Sequence, residues 1–209
     1  MFPDYHVHTA LCKHACGSME EYVRAALEKG LGEMGFSDHI PLPAWCDQKH
    51  RMRPEELGGY AEKALELGRD GKGPVIKLGI EVDYVPGEED YVRKIIESRD
   101  FDFVIGSVHD IGIFGFDNPE FIAEWEGKDC YDVYENYFRL LTKAGSTGLF
   151  DIVGHLDQVK KFGRFPDRDW FPLVRGLLEE VKRTGMCIEL NTSGLRKPVK
   201  EQYPSLRIL

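Results

Sequence analysis

The sequence predicts an α/β fold of parallel strands joined by right-handed helical crossovers. Short apolar, β-branched runs alternate with amphipathic helical stretches about six times along the chain. The helical stretches carry their own start and stop signals. His, Asp and Glu residues collect at or just beyond the strand C-termini, the end at which barrels of parallel strands build their sites. No repeat, low-complexity tract or linker interrupts the pattern, so residues 1–209 read as one domain.

In order, residues 5–9 form the first strand. Ser18 with Glu21 three residues on is a capping box. The helix that follows carries Val23, Ala26 and Leu27 on one face and stops at Gly30. The strand over 33–37 ends in Asp38-His39. Residues 40–53 form a long loop rich in Pro, Asp and aromatic side chains, a kind that usually carries function. Pro54 opens a helix at its favoured first position, running to about residue 68 despite Gly58-Gly59. A turn over 71–74 leads to the apolar strand 75–84, which carries Glu81. A short helix over 90–99 precedes a buried strand over 101–109, and 110–129 is another long loop. Tyr134, Tyr137, Phe138 and Leu141 mark one face of a helix. The strand over 149–154 leads to His155. Val174, Leu177, Leu178 and Val181 mark the last helix, Gly185 ends it, and a sixth strand covers 186–190.

The composition, 42% hydrophobic and 30% charged, is that of an ordinary globular chain. A net charge of −9 argues against a non-specific nucleic-acid binder, which needs a basic face. No apolar signal region follows Met1, and no apolar run is long enough to span a membrane. The five scattered cysteines read as reduced thiols of a cytoplasmic chain.

His6 and His8 alternate along the first strand, so their rings point to one face. Taken alone, His-x-His is short and common, and any one histidine could be a satisfied core residue. Five strands delivering ligand-type residues (His6 and His8, His39, Glu81, His109, His155) to one end point instead to a metal centre. These N and O donors suit zinc, iron or manganese. Glu81 lies in an otherwise apolar strand, where a lone carboxylate is costly unless a cation pairs with it. Cys12 and Cys16 flank His14 and could be soft ligands. Their spacing matches no common zinc knuckle, which favours small turn residues with buried thiols.

Several blocks resemble the polymerase-and-histidinol-phosphatase (PHP) family of metallophosphoesterases, and within it the histidinol-phosphate phosphatases. They are His6-Val7-His8-Thr9 with His14, Phe36-Ser37-Asp38-His39, Gly79-Ile80-Glu81 and Ile105-Gly106-Ser107-Val108-His109. They continue with Gly154-His155-Leu156-Asp157, Lys160-Lys161-Phe162-Gly163 and Asn191-Thr192-Ser193-Gly194-Leu195-Arg196. The resemblance implies a distorted (β/α)7 TIM-like barrel holding up to three divalent metal ions. It implies that His6, His8 and Glu81 hold the first, that Glu81 bridges to a second held with His109 and His155, and that His14 and His39 hold the third. The family's closing Asp-x-His motif does not occur before Leu209. The expectation is therefore an incomplete barrel of about six strands with an open edge able to self-associate, and a weakened third metal site.

The expected reaction is attack of a metal-activated hydroxide on a small-molecule phosphate ester, L-histidinol phosphate first, without a nucleic-acid or membrane partner. Arg196 is the first choice for gripping phosphate, since its planar fork binds bidentately. Lys160, Lys161 and Arg164 follow. Asp38 is expected to orient His39 or to act as a general acid. Trp45 and Asp110 are candidates for meeting the imidazole and amine of the substrate, and His50 reads as a surface residue. Two alternatives stay open: a PHP phosphoesterase acting on another phosphate ester, and an inactive, truncated metal-binding fragment.

Overall fold

A computed structural model describes residues 3–69, 71 and 73–209. Lys72, within the expected turn over 71–74, and Met1, where the leader reading begins, lie outside the described residues. Six strands are described: β1 (Asp4–Val7), β2 (Glu33–Phe36), β3 (Val75–Asp83), β4 (Phe103–Ser107), β5 (Ile152–Val153) and β6 (Cys187–Ile188). Their order in the sheet follows the chain, β1-β2-β3-β4-β5-β6, and the registered pairs are parallel. The helices between them are α1 (Met19–Glu28), α2 (Leu57–Arg69), α3 (Glu89–Glu97), α4 (Cys130–Ser146) and α5 (Phe171–Thr184). The α/β expectation with six strands is met. No helix among the described residues is long and apolar enough to cross a membrane.

The chain divides into two compact units, each described here by itself. The first comprises Met1–Val82 with Asp90–Ile105. Ser18 and Glu21 form the expected capping box at α1, and Gly30, at φ 71°, takes the left-handed turn that ends it. A 3-10 turn over Pro54–Glu56 leads into α2. Met34, Phe36, Leu78, Ile80 and Val82 are buried along β2 and β3, with Tyr60 of α2. Phe103 fills the space over Gly35 and Gly79: a Cβ built on these would lie 2.6 and 2.2 Å from its ring. The loop over 40–53 is anchored from within, since Ile40, Leu42, Arg51 and Met52 are buried.

The second unit comprises Asp83–Glu89 with Gly106–Leu209. Tyr134, Tyr137, Phe138 and Leu141 of α4, and Val174, Leu177 and Val181 of α5, are buried as their spacing predicts, while Leu178 is half-buried. Trp170 stacks on Phe138 and meets Tyr134 edge-on. The strands β5 and β6 are shorter than expected, and past β5 a polar side chain takes over the pairing. The His155 amide donates to the Glu189 carboxylate at 2.6 Å, and His155 itself takes φ 24°, outside any strand conformation. The region 110–129 is not all loop: Asn118 caps a 3-10 helix over Pro119–Trp125.

Gly79→Ala sets a methyl group into the Phe103 ring and should cost roughly 1–3 kcal/mol as overpacking. Gly32→Ala, where the methyl meets nothing within 4 Å, should stay within about 0.5 kcal/mol of the parent. Urea unfolding of both, and of Gly79→Ala with Phe103→Leu to relieve the clash, checks the assignment.

Candidate metal centre

In the first unit, β1, β2 and β3 each deliver polar side chains to their C-terminal ends. His6 and His8 leave β1 on one face, as their spacing requires. The bridge between His39 and Glu81 extends the pairing of β2 with β3 by one more rung. One carboxylate oxygen is the focus: Glu81 Oε2 lies 3.1 Å from His6 Nε2, 3.2 Å from His8 Nε2 and 3.2 Å from His39 Nε2. Glu81 is 1% exposed. Three imidazole nitrogens crowd one carboxylate oxygen, which sets neutral lone-pair donors around an anion. Ligand atoms about 2.0–2.2 Å from one ion stand roughly 3 Å apart when adjacent in its coordination sphere. The spacing therefore fits a divalent ion, and so does the donor set.

His14 flanks this group. Its ring centre is 4.9 Å from that of His8 and 5.6 Å from that of His39. Its Nδ1 is 3.0 Å from the Cys12 carbonyl oxygen, which fixes the tautomer that leaves Nε2 for a ligand. Burial pulls the His8 pKa down, but Asp38, Cys12 and Glu81 overcome this and hold it well above its ordinary value. Burial pushes the Cys12 thiol up, and hydrogen bonds with His14 and His8 reverse that, bringing it to about 7. His50, expected on the surface, lies 6.1 Å ring to ring from His14, with its Nδ1 held by Asp47 at 2.8 Å.

Asp38 plays a different part from the one expected of it. It is completely buried. Oδ1 accepts the Thr9 amide at 2.6 Å and Oδ2 accepts the Thr9 hydroxyl. It thus fixes the segment that carries His8, and a group so enclosed is ill placed to hand a proton to substrate. Trp45 is 67% exposed in the 40–53 loop.

The second unit carries His109 and His155, whose ring centres are 4.9 Å apart. Asp83 Oδ1 holds His109 Nδ1, which leaves Nε2 outward. Sequence reasoning passed over Asp83, although it lies two residues beyond Glu81 on the same strand and so shares its face. The Ser107 hydroxyl is 3.4 Å from His155 Nε2. Asp117, also missed, has no motif to signal it. Its Oδ2 accepts from Gln158 Nε2 at 2.8 Å and Lys161 Nζ at 2.9 Å. Burial raises the Asp117 pKa, but the charges of His109, Lys161 and His155 outweigh this and hold it below the usual carboxylate range. Burial, then the charges of Lys161 and Arg196, hold the Lys197 ammonium below its ordinary value. Arg196 and Asp110 are exposed, and the Arg164 guanidinium lies 5.7 Å from the Trp125 ring centre.

Lys160 is a correction. Its side chain is 0% exposed, and its ammonium meets Asp157 Oδ2 at 2.9 Å, Glu201 Oε2 at 2.6 Å and the Gln202 carbonyl at 2.8 Å. With its three protons taken up, it ties its loop to the C-terminal segment, and the phosphate role is not carried forward for it. Burial pushes the Asp157 carboxyl up against the pull of Lys160.

A parallel α/β fold with a buried carboxylate ringed by imidazoles defines a metal-dependent hydrolase type of centre, and the chain belongs to the PHP domain family, whose model matches residues 4–193. It is 43% identical to a probable histidinol-phosphatase of Deinococcus radiodurans, over 97% of this chain and 77% of that one. It is 30% identical to the histidinol-phosphatase of Bacillus subtilis, over 93% and 81%. Among solved structures, it superposes on a provisionally assigned histidinol phosphatase from Listeria monocytogenes with TM-score 0.80 and 23% identity, over 99% and 89% of the two chains. The histidinol phosphate phosphatase of Lactococcus lactis, complexed with zinc, L-histidinol and phosphate, gives TM-score 0.78 at 24% identity, over 96% and 77%. The PHP-type α/β fold expected from the sequence agrees with these two folds.

Lys160→Met leaves the Asp157 charge buried without its partner and should cost roughly 3–5 kcal/mol. Thermal unfolding should show the loss, with KM for a phosphate ester unchanged in the folded fraction. A raised KM with full stability would place Lys160 at the substrate instead.

Proposed function

We propose that the chain is a metal-dependent phosphomonoester hydrolase that converts L-histidinol phosphate to L-histidinol and phosphate. The observation that carries the chemistry is the convergence of three imidazole nitrogens on the buried Glu81 oxygen at 3.1–3.2 Å. The substrate rests on the relatives that share 43% and 30% of its residues over nearly its whole length. A divalent ion held here supplies Lewis acidity, which acidifies a water and offsets charge on the phosphoryl oxygens.

His6, His8, His39 and Glu81 are assigned as ligands, with His14 beside them. His109 and His155 are assigned to a further ion. Asp83 holds the His109 ring, so that imidazole need not reorient when loaded, and Glu189 fixes the backbone that carries His155. Lys161, Arg196 and Lys197 gather positive charge in a chain of net charge −9 and are assigned to the phosphate. Asp117 holds the Lys161 ammonium at 2.9 Å rather than itself meeting an anion. Trp45 and Asp110 are exposed and are assigned to the amino-alcohol end, where Asp110 offers a carboxylate to the amine; Arg164 is assigned a supporting role toward the anion.

Elemental analysis of bound metal and phosphate release from L-histidinol phosphate test the proposal on the same samples, with zinc as the first ion to supply. His109→Ala should cut turnover by more than about 100-fold and leave the unfolding midpoint near that of the parent. Asp83→Asn should lose roughly 10–100-fold in metal affinity or turnover by freeing that ring. Near-normal phosphate release from His109→Ala would sink the site assignment. Faster release from a sugar phosphate or a nucleotide than from histidinol phosphate would sink the substrate.

A further inference from the structure

We propose that Tyr60 is a positioning residue for the metal centre. Its hydroxyl is a spacer set into the pairing of β2 with β3, and it fixes where the Asp38-His39 segment stands against Glu81. The inference deepens the phosphatase reading and rests on it for the identity of the ligands.

The register of β2 with β3 pairs Phe36 with Leu78, and the bridge of His39 with Glu81 keeps the same offset. Past Phe36, an evenly spaced parallel ladder calls for the Asp38 amide to donate to the Gly79 carbonyl. The Asp38 amide donates instead to the Tyr60 hydroxyl at 3.3 Å, and that hydroxyl donates to the Gly79 carbonyl at 2.7 Å. Direct pairing resumes one rung on. There the Glu81 amide donates to the Asp38 carbonyl and the Ile40 amide to the Glu81 carbonyl, both at 3.0 Å. One side-chain oxygen thus stands in for one ladder bond, with no residue added to either strand. This is also where β2 ends short of the residue 37 expected for it.

The hydroxyl suits the place. Tyr60 is buried on α2 with Leu57, Ala61 and Ala64, so the packing of that helix sets the depth of the oxygen. A phenol has one proton to give and lone pairs to accept with, and both are used. Burial, then the charge of Asp38, hold its pKa well above the ordinary value, so the proton stays on the Gly79 side. Two parts of the centre hang from this rung. Asp38, whose amide meets Tyr60, turns its carboxylate to the Thr9 amide at 2.6 Å and so holds the segment that carries His8. His39 follows directly, its Nε2 3.2 Å from Glu81 Oε2. An amide bonded directly to a carbonyl lies about 2.9–3.0 Å from it, and a hydroxyl between them keeps them farther apart. Without that oxygen, the chain after β2 is free to close on Gly79, carrying His39 and the Asp38 grip away from the geometry that an ion requires.

Tyr60→Phe keeps the ring and removes the oxygen. It should weaken zinc binding by about tenfold or more, read by chelator competition, and lower kcat with KM for L-histidinol phosphate within about twofold of the parent. In NMR spectra of the metal-free chain, the ring signals of His8 and His39 should shift and those of His155 should not. Leu57→Ala, three residues away on the same helix face, separates positioning from stability. It should lower the unfolding midpoint and leave zinc affinity and ring signals near those of the parent. Zinc affinity unchanged in Tyr60→Phe, or lost equally in Leu57→Ala, overturns the proposal, as does a Tyr60→Phe chain that fails to fold. Phosphate release on the same samples separates the two readings. A parent that binds zinc without turnover, its affinity falling in Tyr60→Phe, sinks the phosphatase reading alone. Turnover in the parent, with zinc affinity and ring signals untouched by Tyr60→Phe, sinks the positioning role alone.

Discussion

The carboxylate of Glu81 sets the terms for the first compact unit. It sits between Ile80 and Val82, both 0% exposed, on a strand whose other residues there are apolar. A charge in such a place is tolerated only with compensating charge or hydrogen bonds. Three imidazoles on two neighbouring strand ends provide it, and each is there because the strand before it runs parallel and stops at the same level. The register of β2 with β3, carried on by the His39–Glu81 bridge, is what brings the rings to the oxygen. Packing and polarity are thus one problem here. Phe103 seated over Gly35 and Gly79 lets the apolar faces close, and that closure makes the carboxylate need its neighbours.

A second theme is acids that act through other groups. Asp38 grips Thr9, Asp83 holds the His109 ring, Glu189 takes the His155 amide, and Asp117 holds Lys161. Each carboxylate fixes a residue that meets an ion or an anion, or the segment that carries one. Rings and ammonium groups so restrained lose less freedom when they bind. In a chain of net negative charge, this also keeps acidic oxygens turned away from the phosphate that the reading assigns to Lys161, Arg196 and Lys197.

Much of the fold was legible because local signals agree with the global one. Ser18 with Glu21, Pro54, Gly30 and Gly185 mark helix ends by mechanisms that act within a few residues. The ligand-type histidines were legible through their position at strand ends. What was illegible depends on partners distant in sequence. Nothing near Lys160 announces Glu201, so a basic loop read as a solvent-facing hand. Nothing near Asp38 announces Thr9, so its neighbour His39 looked like its target. Past β5, an apolar pattern carries no notice that Glu189 will claim the His155 amide. Asp83 alone could have been found, by extending strand alternation one step past Glu81.

The junction around Lys160 has a consequence for how this chain can vary. Lys160 and Asp157 are both fully enclosed, and Glu201, 41 residues on, completes the ion trio. Loss of Lys160 alone strands the Asp157 charge away from water, whereas Glu201, its side chain 39% exposed, can turn to solvent. Lys160 can therefore change only together with Asp157, while Glu201 is freer to vary. A short buried turn is thereby given a joint mutational history, with the remote segment tied to it more loosely.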